Sequence, residues 1–166
     1  MTAPSQPRAS AHELAQLPPF AHLSKRELRF VQSLRSTISV PPGKILARQG
    51  HVCLEFGIVV EGTARVTRDG HEIALLEPGQ HFGDIGLVRA LPHPVGVVAC
   101  TAVTLEVMSV REFRSAYSAM PALRDCIDVQ IDDRVANWSG PKSSVRAADP
   151  DGTLAPADET DYTLAS

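Results

Sequence analysis

Residues 58–79, IVVEGTARVTRDGHEIALLEPG, carry the pattern that decides the fold. Short runs of Val, Ile and Leu are separated by glycine-containing pairs, and the same spacing extends from residue 38 to residue 108. Because an Asp-Gly pair can take the positive φ angles of a two-residue turn, Asp69-Gly70 predicts a hairpin. Several short strands at about ten-residue spacing, with few helices between them, predict an antiparallel barrel or jelly roll.

Helical patterns flank this β region on its N-terminal side. The segment SAHELAQL, residues 10–17, predicts a short helix that ends before Pro18, because the residue before a proline resists helical angles. Ser24 precedes Glu27 by three residues, which is the pattern of a capping box. The segment LSKRELRFVQSLR that contains this pair predicts a second helix with one apolar stripe.

Two more helices are predicted after the strands. Ser109 and Glu112 repeat the capping-box pattern, and Pro121 suits the first turn of a final helix, where its missing N–H costs nothing. That final helix presents an apolar ridge that steps by four residues, formed by Leu123, Ile127, Ile131 and Val135. The ridge predicts either a core face or the seam of a homodimer.

Charge divides the chain into three parts. The 166 residues hold 16 Lys and Arg against 19 Asp and Glu, for a formal net charge of -3. Residues 139–166 carry this whole excess and few large apolar side chains, so they are predicted to be a disordered acidic tail. Residues 1–9 are predicted to be a shorter disordered end, which leaves a domain at residues 10–138. The balanced charge of this domain argues against direct DNA binding.

Composition also indicates a compartment. No apolar run approaches the roughly 20 residues of a membrane helix, and the N-terminus lacks the apolar segment of a secretory signal. Cys53, Cys100 and Cys126 are odd in number and far apart, so we expect reduced and mostly buried thiols. The sequence therefore predicts a cytoplasmic protein with no membrane contact.

One glycine-rich stretch, residues 77–87, breaks the strand pattern with EPGQHFGDIGL. Its glycines leave backbone N–H groups unobstructed, and a glycine followed by a helical turn can present such donors to an anion. Asp84 beside those donors is an acceptor suited to sugar hydroxyls.

The order of PPGKIL, RQG, IVVEGTARV, LEPGQHFGDIGLVRALPHP and the closing helices resembles the cyclic-nucleotide-binding domain family, over roughly residues 14–136. This is the sensor module of catabolite-activator-type regulators, kinase regulatory subunits and gated channels. PGQHFGDIGL is similar to the family's phosphate-binding cassette, Phe-Gly-Glu-(Leu/Ile)-Ala-Leu, a short loop and Pro-Arg-(Ala/Thr/Ser). The resemblance implies a mainly β fold, an antiparallel jelly-roll-like β-roll with N-terminal and C-terminal helices. Because the acidic tail follows Trp138 where catabolite-activator-type regulators have a helix-turn-helix, we expect a stand-alone regulatory sensor without catalytic residues or cofactor. The resemblance implies cAMP or cGMP as its ligand.

The same resemblance assigns the site residues. The phosphate would sit on the N–H groups of Gly83, Asp84, Ile85 and Gly86, and Asp84 would hold the ribose hydroxyl that the family's Glu accepts. The segment 50–54, GHVCL, departs from the family's Gly-Glu-x-Gly-Asp, at a turn that the family's fold places away from the phosphate.

The phosphate end of the cassette departs from the family at two positions. The family's phosphate-pairing Arg falls at His93, and the small residue after it falls at Pro94. A histidine with a reference pKa near 6.5 is largely neutral at pH 7, and Pro94 has no N–H. Binding should therefore weaken by about tenfold or more. Arg89 is a candidate replacement cation, and a bound anion that raises the pKa of His93 would strengthen binding below about pH 6.5.

Two other functions stay open. One is a β-roll scaffold that binds no nucleotide and contacts a protein partner. The other is a cupin-like metal protein, suggested by histidines around the β-roll at positions 51, 71, 81 and 93. Because the His-x-His pair of such sites is missing, no metal ligand is assigned. The protein partner of either sensor or scaffold is not indicated by the sequence.

Overall fold

A computed structural model describes residues 10–139. The predictions of disorder for residues 1–9 and for the acidic tail beyond residue 139 lie outside the described residues. Within residues 10–139 there are five α-helices, Ala11–Ala15 (α1), Lys25–Leu34 (α2), Asp84–Arg89 (α3), Val110–Ala119 (α4) and Pro121–Ser139 (α5), and a 3-10 helix at Pro18–Phe20. The strands are Ser36–Val40 (β1), Ile45–Ala47 (β2), Glu55–Glu61 (β3), Ala64–Arg68 (β4), His71–Leu76 (β5), His81–Phe82 (β6), Gly96–Ala99 (β7) and Val103–Ser109 (β8).

The strands form two antiparallel sheets of four strands each. One has the order β1-β8-β3-β6 and the other the order β2-β7-β4-β5. Buried aliphatic side chains from both sheets make one core, in which Val59 and Leu105 of the first sheet join Val66 and Val97 of the second. The predicted antiparallel β-roll with flanking helices is confirmed.

The hairpin predicted at Asp69-Gly70 joins β4 to β5. Asp69 has a φ of 52° and Gly70 a φ of 79°, the positive values that a two-residue hairpin turn requires. Arg68 pairs with His71 across the turn. The turn chemistry therefore sets the register of this hairpin, which forms one wall of the cavity described below.

Both predicted capping boxes that flank the β-roll are present. The Ser24 hydroxyl accepts from the N–H of Glu27 at 3.3 Å, and the Glu27 carboxylate accepts from the N–H of Ser24 at 2.7 Å. Ser109 and Glu112 make the same two bonds at the start of α4. The α1 helix begins with a further box, formed by Ser10 and Glu13.

The helices share a second apolar core with the outer face of the β-roll. Leu123, Ile127 and Ile131 of α5 are at most 1% exposed and contact this core, and Val135 is half-buried against it. The predicted ridge is thus a core face within a single chain. A homodimer through the C-terminal helix stays a prediction, and it would have to use side chains of α5 other than this buried ridge.

The cysteines are all free thiols, but only Cys53 is buried. Cys100 follows β7 and is exposed, and Cys126 of α5 is half-buried, so the prediction of mostly core cysteines is wrong for these two. Among the described helices, none combines the length and the apolar composition that crossing a bilayer demands.

Candidate functional site

A cavity of about 670 Å³ lies between the β2-β7-β4-β5 sheet, the β6–α3 segment and α5. Its walls are mostly aliphatic, and its polar groups lie where β6, α3 and α5 meet, at the β4–β5 hairpin and at His93. The lining residues used below are Arg68, Asp69, Gly83, Asp84, Ile85, Gly86, His93, Pro94, Arg134 and Asn137. Six of the seven residues predicted for the site line this one cavity.

Glycine is required at the turn between β6 and α3. Gly83 has a φ of 87°, and a Cβ there would lie 2.2 Å from the carbonyl oxygen of Glu55. A Cβ on Gly86 would lie 2.6 Å from the Cβ of Cys53. The two glycines therefore let α3 begin directly against β3. The N–H groups of its first turn, which have no partner within the helix, belong to residues that line the cavity.

The segment before β3 contacts the cassette at both of its ends. The Cys53 thiol donates to the carbonyl oxygen of Gly83 at 3.1 Å. The N–H of His93 donates to the oxygen of His51, and the N–H of Gly50 to the oxygen of His93, both at 2.8 Å. Residues 50–54 therefore support the backbone of the cassette, although none of them lines the cavity. Burial raises the pKa of Cys53 to about 11, so its thiol stays protonated and serves packing.

Asp84 is bonded to the C-terminal helix. Its carboxylate is 1% exposed and accepts from Nη2 of Arg134 in α5. Nη1 of Arg134 donates to the carbonyl oxygen of His81, and its Nε donates to that of Gln130, both at 3.3 Å. Burial lowers the pKa of Arg134 to about 10, which still leaves it charged at neutral pH. The predicted sugar acceptor thus already has a cationic partner.

His81 completes this connection between β6 and α5. Its Nε2 bonds to Oε1 of Gln130, and its Nδ1 lies 3.3 Å from Oδ2 of Asp84. The imidazole also packs on Phe56, with ring centroids 5.3 Å apart. Burial, assisted by the charge of Arg134, lowers the pKa of His81 to about 3, so the ring is neutral. We call His81, Asp84, Gln130 and Arg134 the polar clasp.

Sequence reasoning missed the two members of the clasp that α5 supplies. Helical spacing could have identified Arg134, since it follows Ile131 by three residues and Ile127 by seven. Those separations place Arg134 beside the buried ridge and therefore facing the β-roll.

The two residues predicted to face a phosphate, His93 and Pro94, both line the cavity. His93 is buried, and burial together with the nearby His51 lowers its pKa to about 4. Pro94 lines the cavity without an N–H to donate. At neutral pH neither residue brings a positive charge to the phosphate end.

Arg89 does not line the cavity. Its Nη2 donates to Oδ1 of Asp132 in α5 at 3.0 Å, and both side chains of this pair are substantially exposed. The structure thus does not bring the candidate replacement cation to the phosphate end.

The histidines around the β-roll do not assemble with acids or thiols into a metal site. Within residues 10–139 there is no group of three or more His, Cys, Asp or Glu side chains placed to hold a metal ion. The close pair of His81 and Asp84 belongs to the polar clasp.

The structure is thus a β-roll with a cavity under its C-terminal helix and a Phe-Gly-Asp turn at the cavity's edge. The family model "Cyclic nucleotide-binding domain" matches residues 37–119, and the chain belongs to this family. It is 30% identical over 115 residues to a cyclic nucleotide-gated potassium channel of Rhizobium etli, which covers 69% of this chain and 32% of the channel. The match thus spans about a third of that relative's length.

Solved structures share the fold at low sequence identity. The cAMP-bound PfPKA-R structure has a TM-score of 0.71 at 16% identity, covering 77% of this chain and 44% of that one. The regulatory subunit of a cAMP-independent protein kinase A from Trypanosoma brucei has a TM-score of 0.66 at 21% identity, covering 77% of this chain and 47% of that one. These likenesses establish the β-roll and its flanking helices.

Proposed function

We propose that this chain is a non-enzymatic sensor module whose cavity takes a ribose-bearing ligand, and that it binds cAMP and cGMP weakly. The observation that carries the proposal is the position of Asp84, a buried carboxylate at the edge of a cavity of about 670 Å³. A carboxylate that accepts from a ribose hydroxyl makes a charge-assisted hydrogen bond, one of the stronger polar contacts available. Ligand pockets typically combine apolar walls with a few such polar groups.

Weak binding of the cyclic nucleotides follows from the phosphate end. His93 stands where the family has a charged Arg, and Pro94 removes one N–H donor. A neutral hydrogen bond in place of a charge-assisted pair lowers affinity by about tenfold. The trypanosome protein named above is the regulatory subunit of a cAMP-independent protein kinase A, so this fold also occurs in a kinase that does not depend on cAMP.

Ligand binding would act through α5. A ribose hydroxyl on Asp84 must share the carboxylate with Arg134, so occupancy of the cavity changes the contact that holds α5. A ligand shifts a conformational equilibrium by its differential affinity for the two states. We propose that a protein partner detects α5 or the surface beside it. The three free thiols fit a reducing compartment such as the cytoplasm.

Titration calorimetry with cAMP and cGMP at pH 7.5 and 6.0 tests this function. We expect weak heats at millimolar ligand that disappear in Asp84→Asn, which keeps the size of the side chain but removes its charge. A gain in affinity at pH 6.0 would indicate that bound phosphate raises the pKa of His93. No heat with cAMP, cGMP, adenosine or guanosine at millimolar concentration would contradict the proposal.

A scaffold that binds no nucleotide is the second candidate. Val52 is 70% exposed and Leu91 is 53% exposed, and both belong to loops that meet beside Gly86. Exposed apolar side chains of this kind can contact a protein partner. The scaffold is favoured if Asp84→Asn leaves partner binding intact while Val52→Asp abolishes it.

A further inference from the structure

The cavity lining carries two positive and two negative side chains, so their formal charges sum to zero. Arg68 and Arg134 supply the Arg charges, and Asp69 and Asp84 supply the carboxylates. Arg134 is bonded to Asp84, and Arg68 Nε lies 3.9 Å from Asp69 Oδ2. Among the described residues, each Arg of the lining therefore lies beside an acid of the same lining.

At the region expected to hold phosphate, neither His93 nor Pro94 supplies a positive charge. His93 is 9% exposed, and its buried ring carries no charge at neutral pH because desolvation lowers its pKa to about 4. The backbone of Pro94 offers no N–H there. Arg89, which could have entered from the same segment, is paired with Asp132 on the outside of α5.

Burying an anion in such a site is costly. An ionised group that leaves water needs an opposite charge and several hydrogen bonds to recover its lost hydration. A phosphate here could accept from the N–H groups at the start of α3, but if it also recruited Arg134 as its cation, the buried Asp84 carboxylate would lose its partner. A ligand that places only hydroxyl groups near Asp84 avoids both losses.

We infer that the cavity selects an uncharged ribonucleoside over its cyclic phosphate. The inference rests on the proposed function, because it takes Asp84 as the acceptor of a ribose hydroxyl. Aliphatic walls, which include Val66, Ile73 and Val97, would cover the faces of the base. Asn137, one turn beyond Arg134 on α5, lines the same cavity and offers both a donor and an acceptor to an uncharged ligand.

Competitive calorimetry on the full chain at pH 7.5 tests the inference, with adenosine and guanosine as probes and cAMP and cGMP as their charged counterparts. At least one nucleoside should bind tenfold or more tightly than its own cyclic phosphate. Its 2′-deoxy form should bind at least tenfold more weakly, because the hydroxyl on Asp84 is lost. Cyclic phosphates that bind as tightly as the nucleosides would overturn this inference and leave the proposed function standing. Absence of heat with all four ligands would overturn both.

Charge restored at the phosphate end should reverse the preference. In the double variant His93→Arg, Pro94→Ala, we expect cAMP to gain at least tenfold relative to adenosine. Arg89→Gln is the matched control, since it removes a cation outside the cavity and should leave both affinities unchanged. A loss of cAMP binding in Arg89→Gln would overturn the charge argument, because it would show that this arginine reaches the phosphate. If the double variant fails to fold, the same comparison is made with Pro94→Ala alone, where a relative gain of cAMP supports the inference and an unchanged ratio overturns it.

Discussion

The Asp84 carboxylate at the start of α3 accepts a hydrogen bond from the Arg134 guanidinium of α5, and this bond joins the edge of the cavity to the helix that covers it. The two residues are 50 positions apart in the chain. Asp84 is almost fully buried, whereas about a quarter of the Arg134 side chain remains exposed. The bond therefore carries two roles, the stability of the docked helix and the availability of the sugar acceptor.

Arg134→Gln should destabilise the protein by about 2–3 kcal/mol, because it leaves a buried carboxylate without a cation. Partial exposure of Arg134 keeps the value below that of a fully buried pair. Urea unfolding measures this change in the free energy of unfolding. Arg89→Gln is the control, since it breaks an exposed ion pair with Asp132 and should cost about 0–1 kcal/mol. Equal losses in the two variants would argue against a structural role for the clasp.

Gln130→Leu should loosen the C-terminal half of α5, because it leaves the buried Nε2 of His81 without its partner. The expected cost is about 1–3 kcal/mol, with faster amide hydrogen exchange around residues 130–137. Tyr117→Phe is the matched control, since it removes a bond to Asp128 of the same helix at a less buried position. Unchanged exchange in Gln130→Leu would count against the role of His81.

Gly83→Ala should be far more destabilising than Gly43→Ala. Both glycines have positive φ angles, but a Cβ at Gly43 would meet nothing within 4 Å, whereas one at Gly83 would overlap the Glu55 carbonyl. Gly43→Ala therefore measures backbone strain alone, about 1 kcal/mol, and the excess in Gly83→Ala measures the close approach of α3 to β3. Thermal unfolding of both variants gives the difference, and similar melting temperatures would contradict it.

Acid should destabilise the fold below about pH 6.5. His81 and His93 are buried in neutral form with pKa values of about 3 and about 4, so the unfolded chain takes up protons first. The stability contributed by neutral burial is full above the unfolded pKa and is lost as pH falls toward the folded values. The melting temperature should therefore decrease from pH 7.5 to pH 6.0 and again to pH 4.5.

The same series of melting temperatures, measured on His93→Gln, isolates the contribution of His93 to the acid destabilisation. This variant should lose less stability than the natural chain between pH 7.5 and 4.5, because one group with a lowered pKa is gone. The exposed His71→Gln should retain the full decrease. His93 faces His51, and His81 faces Asp84 and Arg134, so these are the charges that modify the profile. A parallel profile in His93→Gln would contradict burial of a neutral ring at position 93.

The β-roll was predictable because its signals are local. The Asp69-Gly70 pair and the two serine–glutamate boxes each fix a turn or a helix start within a few residues. The cassette segment was found for the same reason, and Asp84, His93 and Pro94 all line the cavity.

The rest of the site depends on contacts between segments that lie far apart in the chain. Arg134 and Gln130 reach the site through the rotation of α5 about its axis, which the packing of its apolar ridge sets. Cys53 can pack against the cassette because Gly86 has no Cβ, and this fit is visible only once the two segments are folded together. Arg89 turns outward because Asp132 lies beside it on α5.

The central claim, that a ribose-bearing ligand enters this cavity and meets Asp84, is tested most directly by a ¹H–¹⁵N NMR titration of the labelled chain with adenosine. The account predicts saturating shifts at the amides of residues 83–86 and of residues 130–137, and their loss in Asp84→Asn. Saturating shifts confined to other surfaces, or no shifts at millimolar adenosine and millimolar cAMP, would contradict it.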